Sequence, residues 1–276
     1  MRPNGMITLT TDFGHTDSYV GVMKGVILNI APEARIIDIT HHVDPQNIPQ
    51  ATYIVQTFHQ YFPVGTVHLV IVDPGVGSAR RPVALQTPEA FYVAPDNGVL
   101  TSVWRNALQR WDPEQCVIVE LTERRFWLSE VSNTFHGRDV FSPIAAHIVR
   151  GAALTEFGTR ITHLTEADVA EPMNGRTGAL VGRIVHVDHF GNCITNIELS
   201  HLEQSDLIQG LAVEIIGQHI PGLYRTYAEG PPGELIALIG SSGRLELAIR
   251  NSNAAKRLGV GVNDNLRVWA TKHATR

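Results

Sequence analysis

Cysteine is scarce: only Cys116 and Cys193 occur among 276 residues. Two cysteines cannot build a disulfide framework, and the shortage fits a reduced, cytoplasmic chain. Long apolar runs are missing too. No stretch approaches the roughly 18 unbroken apolar residues of a membrane helix. The opening "MRPNGMITLTTDFG" has no apolar segment of a secretory signal. Basic charge is in deficit, with 22 Lys and Arg against 27 Asp and Glu and a formal net charge of −5. Nucleic acid is therefore not the expected main partner, because neutralising phosphates needs a basic face. No GxGxxG opens the first helix and no GxxxxGK[ST] is present, so dinucleotide and triphosphate signatures are lacking. There are 13 histidines, but neither "HHVD" (His41–Asp44) nor "HVDH" (His186–His189) has a recognised zinc spacing. No metal site is expected, and both cysteines read as small apolar fillers.

At 43% hydrophobic residues the chain can bury an ordinary core. Its first part alternates strand and helix patterns. "MITLTTD" reads as a strand. "TDSYVGVMKGVILNI" reads as a helix with Val20, Met23, Ile27 and Ile30 on one face and Thr16 or Asp17 as N-cap. "ARIIDIT" is a strand, and "IPQATYIVQTFHQYF" a helix turning Ile54, Val55 and Phe58 inward. "VHLVIVD" is apolar almost throughout, as a strand covered on both faces should be. "AFYVAPDNG" and "CVIVELT" add strands, and "HGRDVFSPIAAHIVRGA" a helix. Such alternation implies an α/β domain with a mostly parallel sheet, assigned to residues 1–162. Residues 163–177 are polar and aperiodic, and read as a linker. From 178 to 276 short strands separated by Asn, Gly and Pro turns imply a smaller all-β, barrel-like domain.

Ligands of open parallel sheets gather beyond the carboxyl ends of the strands. Asp12 ends the first strand, Asp73 ends "VHLVIVD", and "PDNG" (Pro95–Gly98) follows another. Each acid alone reads equally well as a turn or N-cap residue. Carboxylates on such an edge suit ribose hydroxyls or a cation and repel a phosphate. The loop "VDPGVGSARR" places two glycines and two arginines after Asp73. It reads either as a surface turn with an ion pair or as a wrap that aims Asp73 and Arg80 at a ligand. His136, in "NTFHGRDVF", stands at a helix start, either as part of a capping segment or as a group facing Asp73 and Arg80.

Six motifs, in order, carry a resemblance across nearly the whole chain. They are "TDFGHTDSYVGVMKG", "VDPGVGSARR", "APDNG", "NTFHGRDVFSP", "HVDHFGNCITNI" and "GSSGRLELAIRNSNAA". Together they resemble the S-adenosyl-L-methionine (SAM) hydroxide adenosyltransferases, which are related to the fluorinating and chlorinating SAM enzymes. The resemblance implies hydrolysis of SAM to adenosine and L-methionine, with SAM as substrate and no cofactor. It implies a catalytic Asp73, Arg80 and His136, with Arg80 seven residues after Asp73. It also implies that Asp12 holds the ribose hydroxyls, that Asp17, Asp188 and Ser241 hold the methionine end, and that Phe190 and Asn192 contact adenine. Homotrimers with sites at subunit interfaces are part of the same expectation. In two places the chain departs from the halogenases. Ser242 follows Ser241 where the fluorinating enzymes have Arg, which leaves Arg244 or Arg250 to meet the methionine carboxylate. The Asp73 and Arg80 loop replaces a Tyr- and Thr-containing one, which favours water over halide. A SAM-dependent halogenase and a SAM- or adenosine-binding protein with little turnover are the alternatives.

Overall fold

Strand β1 (Met6–Thr11) is followed by helix α1 (Tyr19–Ile30), β2 (Arg35–Thr40), α2 (Ile48–Phe58) and β3 (Thr66–Ile71). The protein is seen in a computed structural model that describes residues 1–169, 171–175, 178–208 and 210–270. Two β–α–β passages place β2 and β3 on opposite sides of β1, all parallel. A topological switch point therefore lies between β1 and β3, the place where open α/β sheets bind ligands.

The sheet continues with β4 (Pro82–Gln86), β5 (Ala90–Pro95), β6 (Val117–Leu121) and β7 (Gly158–Ile161) in the order β2-β1-β3-β5-β4-β6-β7. β5 is parallel to β3, whereas β4 and β7 run against their neighbours, so five of the seven strands point one way. The expected mostly parallel sheet is present, with two antiparallel strands that the strand–helix alternation did not reveal.

Alternation within β3 explains its apolar run. Val67, Leu69 and Ile71 face α1 and helix α4 (Ser142–Val149). Val70 and the following Val72 face α2 and helix α3 (Thr101–Arg110). Both faces of the strand are thus covered. α1 buries Val20, Met23 and Ile27. Its N-cap is Ser18, not Thr16 or Asp17, and Ser18 makes no side-chain capping bond. α2 is capped by Asn47, whose Oδ1 accepts from Gln50 N at 3.1 Å.

Contacts divide the chain into two units, Met1–Val169 and Ala170–Arg276. Residues 170, 176 and 177 of the expected linker, and 209 and 271–276 of the expected second domain, lie outside the described residues. The early part of that linker belongs to the first unit by its bonds. Thr165 N donates to Asp96 Oδ1 at 2.7 Å and Ala167 N to Thr101 Oγ1 at 2.8 Å.

In the second unit β8 (Met173–Asn174) pairs with β9 (Leu180–Val187). The remaining strands are β10 (Cys193–Glu198), β11 (Leu211–Ile215), β12 (Gln218–Pro221), β13 (Leu235–Ile239), β14 (Arg244–Ile249) and β15 (Asn265–Ala270). They run β12-β11-β15-β9-β10-β14-β13 with every pairing antiparallel. Tyr224 N donates to Ala237 O at 2.8 Å and draws the two ends of the sheet together. The result is a nearly closed barrel around Ile184, Ile197, Val213, Leu245 and Val268. Cys116 and Cys193 are both buried and unpaired.

Candidate active site

Asp12 and Asp73 follow β1 and β3 and so stand side by side at the switch point, on the carboxyl edge of the sheet. Asp96 and Asn97 follow β5, the next strand along. The chain turns back after Asp73 through two successive reversals. Val76 N donates to Asp73 O at 3.2 Å, and Ser78 N to Gly75 O at 3.1 Å. Pro74 suits the second position of the first turn. Gly77 has φ +77°, and a Cβ on it would lie 2.5 Å from Asn133 O. The glycine therefore serves a close approach to the protein's own chain, the segment that leads to His136.

This loop returns Arg80 onto Asp73. Arg80 Nε donates to Asp73 Oδ1 and Oδ2 at 2.9 and 3.0 Å, and Nη2 donates to Oδ2 as well. The two side chains are only 9% and 6% exposed. Nη2 also meets His136 Nδ1 at 2.9 Å. The ring of Phe141, fully buried, lies under the guanidinium with 5.1 Å from Cζ to its centroid. Asp73, Arg80 and His136 thus form one connected group. Arg80 Nη1 engages no protein group among the described residues.

His136 begins a single turn of π-helix, Gly137–Phe141, ahead of α4. It makes no capping bond, and its ring turns to Arg80 instead. The wide turn is closed twice at one carbonyl: Gly137 O accepts from Ser142 N and, at 2.7 Å, from Ser142 Oγ. Such π-turns favour functional sites because one inserted residue re-aims its neighbours. Here it lets His136 face Arg80 while Phe141 passes beneath it. Asp139 is fully buried and accepts from Ser132 N at 2.8 Å and Arg138 Nε at 2.5 Å. Burial, and then the Arg80 cation, push the His136 pKa below its ordinary value, against the pull of Asp73 and Asp139.

Asp12 is half-buried, and its Oδ2 accepts from Gln46 N at 2.8 Å. Burial raises its pKa and the neighbouring Asp73 adds to this, while backbone N–H bonds oppose it. Asp17 is exposed in the loop between β1 and α1. Around them Phe13, Tyr19 and Phe135 form an aromatic cluster with centroids 5.2 to 5.9 Å apart. The sequence reading overlooked this cluster, although Phe13 directly follows Asp12. It also overlooked the ties behind the site. Asn97 Nδ2 donates to Val72 O at 2.9 Å, steadying the residue before Asp73. Arg81, the second arginine of the pair, binds Asp96 with Nε at 2.8 Å.

The second unit holds the other expected residues. Asp188 organises the turn between β9 and β10. Its Oδ1 accepts from Phe190 N and Asn192 N, both at 2.9 Å, and its Oδ2 accepts from Asn192 Nδ2 at 2.9 Å. Asn192 is buried, whereas Phe190 is 74% exposed on this rigid turn. Ser241 and Ser242 are exposed at the tip of the β13–β14 hairpin. Between the turn and the hairpin lies buried Glu246, which accepts from Tyr227 Oη at 2.5 Å. Burial raises the pKa of Glu246, and the Asp188 charge contributes. Arg244 is drawn to Glu198 Oε1 at 2.8 Å. Arg250 is tied by Nη1 to Ala228 O at 3.2 Å.

Comparison with known proteins matches residues 7–158 to the SAM hydroxide adenosyltransferase N-terminal domain and residues 182–267 to the C-terminal domain of the same name. The chain is 34% identical over 272 residues to an (R)-S-adenosyl-L-methionine hydrolase of Salinispora tropica, covering 98% of this chain and all of that protein. It is 35% identical over 266 residues to an (R)-S-adenosyl-L-methionine hydrolase of Thermus thermophilus, covering 94% of this chain and 96% of the relative. A fluorinase of Actinoplanes sp. is 28% identical over 277 residues, covering 89% of this chain and 91% of the fluorinase. The crystal structure of an uncharacterized conserved protein from Thermotoga maritima superposes with a TM-score of 0.86 at 34% identity, covering 96% of this chain and all of that one.

Proposed function

The chain belongs to the SAM hydroxide adenosyltransferase family, and from that footing we propose that it hydrolyses SAM to adenosine and L-methionine, with a water-derived oxygen attacking C5′. The observation that carries the mechanism is the Asp73–Arg80 pair, with both side chains largely buried, joined to half-buried His136 at the switch point of the sheet. SAM carries a sulfonium, so methionine departs as a neutral thioether and needs no acid. The difficulty lies in the nucleophile, since water is weak at neutral pH. Arg80 presents a planar, delocalised cation. Its guanidinium is anchored by Asp73 and Phe141, so it can stabilise negative character on the attacking oxygen without reorganising. Asp73 and His136 orient that water and provide for its proton. The reaction is a direct displacement with inversion at C5′. SAM is the substrate, and the chemistry asks for no further cofactor.

In the same reading Asp12 accepts hydrogen bonds from both ribose hydroxyls beside the Phe13–Tyr19–Phe135 cluster. Asp17, Asp188 and Ser241 hold the methionine end, while Phe190 and Asn192 meet adenine. Arg244 is committed to Glu198, which favours Arg250 for the methionine carboxylate. A ligand of SAM's length needs both sets of residues. We take the second set to come from a neighbouring copy in a homotrimer. Exposed Phe190 supports this, as does the outer face of α1, where Tyr19, Val22 and Leu28 are exposed. Two buried, unpaired cysteines fit a reducing compartment, the cytoplasm. Turnover in oxygen-18 water tests the function: the label is expected on the 5′ oxygen of adenosine. Unlabelled adenosine, or no adenosine, would sink it.

A further inference from the structure

We propose that His41 is the positioning residue for Asp12: it braces the turn that carries this carboxylate from both sides, and so sets how tightly the ribose end of SAM is held. The inference rests on the reading of Asp12 as the ribose acceptor. It concerns a residue outside the Asp73, Arg80 and His136 group.

His41 directly follows β2, the edge strand paired with β1, and its side chain is fully buried. Its Nδ1 shares a hydrogen bond of 2.8 Å with Thr11 Oγ1. Thr11 is the residue before Asp12. The same Oγ1 accepts from the N–H of Phe13, the residue after Asp12, at 3.2 Å. The backbone carbonyl of His41 accepts from Gly14 N at 2.7 Å. One residue thus grips the chain on both sides of Asp12, by its ring at Thr11 and by its carbonyl at Gly14. The segment after His41 completes the grip. Val43 N donates to Thr11 O at 3.4 Å, and Gln46 N donates to Asp12 Oδ2 at 2.8 Å. Gln46 does so at φ +65°, a left-handed conformation that residues with a side chain rarely adopt. Strain of this kind persists only where the surroundings over-determine it.

The far side of the ring is tied as well. His41 Nε2 lies 3.0 Å from Asp38 Oδ1, in a bent contact rather than a straight hydrogen bond. Asp38 Oδ2 accepts from Lys24 Nζ at 2.6 Å. The ring of His15 stands edge-on to that of His41, with centroids 5.0 Å apart. Contacts therefore run without a break from α1 through β2 to the end of β1: Lys24, Asp38, His41, Thr11. Burial lowers the His41 pKa, His15 and Lys24 add to this, and Asp38 opposes it. The ring is accordingly uncharged at neutral pH. A histidine that merely filled the core would need none of these bonds, whereas His41 commits both its ring and its carbonyl to the neighbours of one carboxylate.

Two substitutions separate the ring nitrogens. Asn places an amide atom where Nδ1 stands and can keep the Thr11 bond. Gln reaches toward the Nε2 position and Asp38 but leaves Thr11 without its partner. His41→Gln should weaken SAM binding by about 10-fold and His41→Asn by no more than about 3-fold, with turnover at saturation little changed in either. Thr11→Val removes the same bond from the other side while keeping the shape, so it should match His41→Gln, and it decides the matter alone if His41→Gln does not fold. In an Asp12→Ala background His41→Gln should have no further effect on SAM affinity, because it acts through Asp12. Titration calorimetry gives the affinities and adenosine release gives the rates. Equal losses in His41→Gln and His41→Asn, an unchanged affinity in Thr11→Val, or losses that add fully to that of Asp12→Ala each overturn the proposal. Amide hydrogen exchange of the free protein reads the brace without SAM. The Gly14 and Gln46 amides should exchange faster in His41→Gln than in His41→Asn, and equal rates overturn the proposal too. If the wild-type protein binds no SAM, the reading of Asp12 fails, and the exchange rates still decide whether His41 holds the turn.

Discussion

Replacing Arg80 by Met removes a cation from a place where two jobs coincide, and the structure lets the two be separated. The first job is structural. Asp73 is 6% exposed, and Arg80 supplies its charge partner through Nε and Nη2. Without that cation a buried carboxylate stands alone, which costs about 3–5 kcal/mol. For a domain of this size such a loss lowers the unfolding midpoint by roughly 10 °C. The second job is the catalytic one proposed above. A cation at the nucleophile acts mainly where negative charge develops, so turnover should fall roughly 100-fold or more while SAM affinity stays within a few fold. Adding Asp73→Asn removes the orphaned charge. The double variant should then be more stable than the sum of the single effects predicts, by about 2 kcal/mol, while its activity stays lost. Calorimetric unfolding gives the stabilities, titration calorimetry gives SAM affinity, and adenosine release gives the rate. Strictly additive stabilities would refute the buried ion pair. If Arg80→Met lost SAM binding but turned over normally at saturation, Arg80 would be a substrate anchor and the loop a clamp.

Three further outcomes follow from the same geometry. Asp12→Ala should weaken SAM binding by about 10- to 100-fold and change turnover at saturation much less, because a charge-assisted bond of about 1.5–3 kcal/mol is present before and during displacement; an effect confined to turnover would place Asp12 in the chemistry instead. Stability should fall on acidification partly through His68, which is buried, bonded to Thr8 Oγ1 at 2.8 Å, and has its pKa pushed down to about 3 by burial. Below the unfolded pKa of about 6.5 the unfolded chain binds a proton that the folded chain refuses. Stability therefore drops with falling pH by about 1.4 kcal/mol per pH unit from this group, down to the folded value. Denaturant titrations of His68→Leu across that range should show a slope shallower by about one proton, and an unchanged slope would count against a neutral buried His68. Finally, Asp73→Ala chains mixed with Asn192→Ala chains should regain part of the activity after verified subunit exchange, since one interface then holds two intact halves; no recovery would argue for sites built within one chain.

Strand and helix order in the first unit could be read from periodicity because β3 and α1 bury whole faces, and burial is what writes a period. β4 escaped for the opposite reason. Its five residues begin with Pro82 and follow a glycine loop, a context that reads as turn, although proline is tolerated at a strand's first position. α3 escaped because only Val103, Trp104 and Ala107 mark its apolar inner face. The π-turn leaves no signal at all: one extra residue in a helix changes no composition, yet it decides where His136 points. The same contrast holds at the site. Asp12, Asp73 and Arg80 were legible as polar residues after apolar strands, where a charge demands a reason. Phe141 was not, because a phenylalanine that supports a guanidinium has the same letter and pattern as one that fills a core.

The hydrolase relatives are 34–35% identical to this chain and the fluorinases 25–28%, so one scaffold serves two kinds of nucleophile. A halide arrives already charged and needs only donors. Water arrives neutral and needs donors together with somewhere to put a proton. In the mechanism proposed above, the Arg80 cation would serve either nucleophile. In the same mechanism Asp73 would serve only water, because a carboxylate beside a bound halide repels it at short range and has no proton to receive. The cost of burying its carboxylate is offset in the resting protein by Arg80, which pairs with it. In the proposed mechanism one arginine would thus neutralise Asp73 before the step and support the nucleophile during it, a double use that the short loop carrying Arg80 back to Asp73 makes geometrically available.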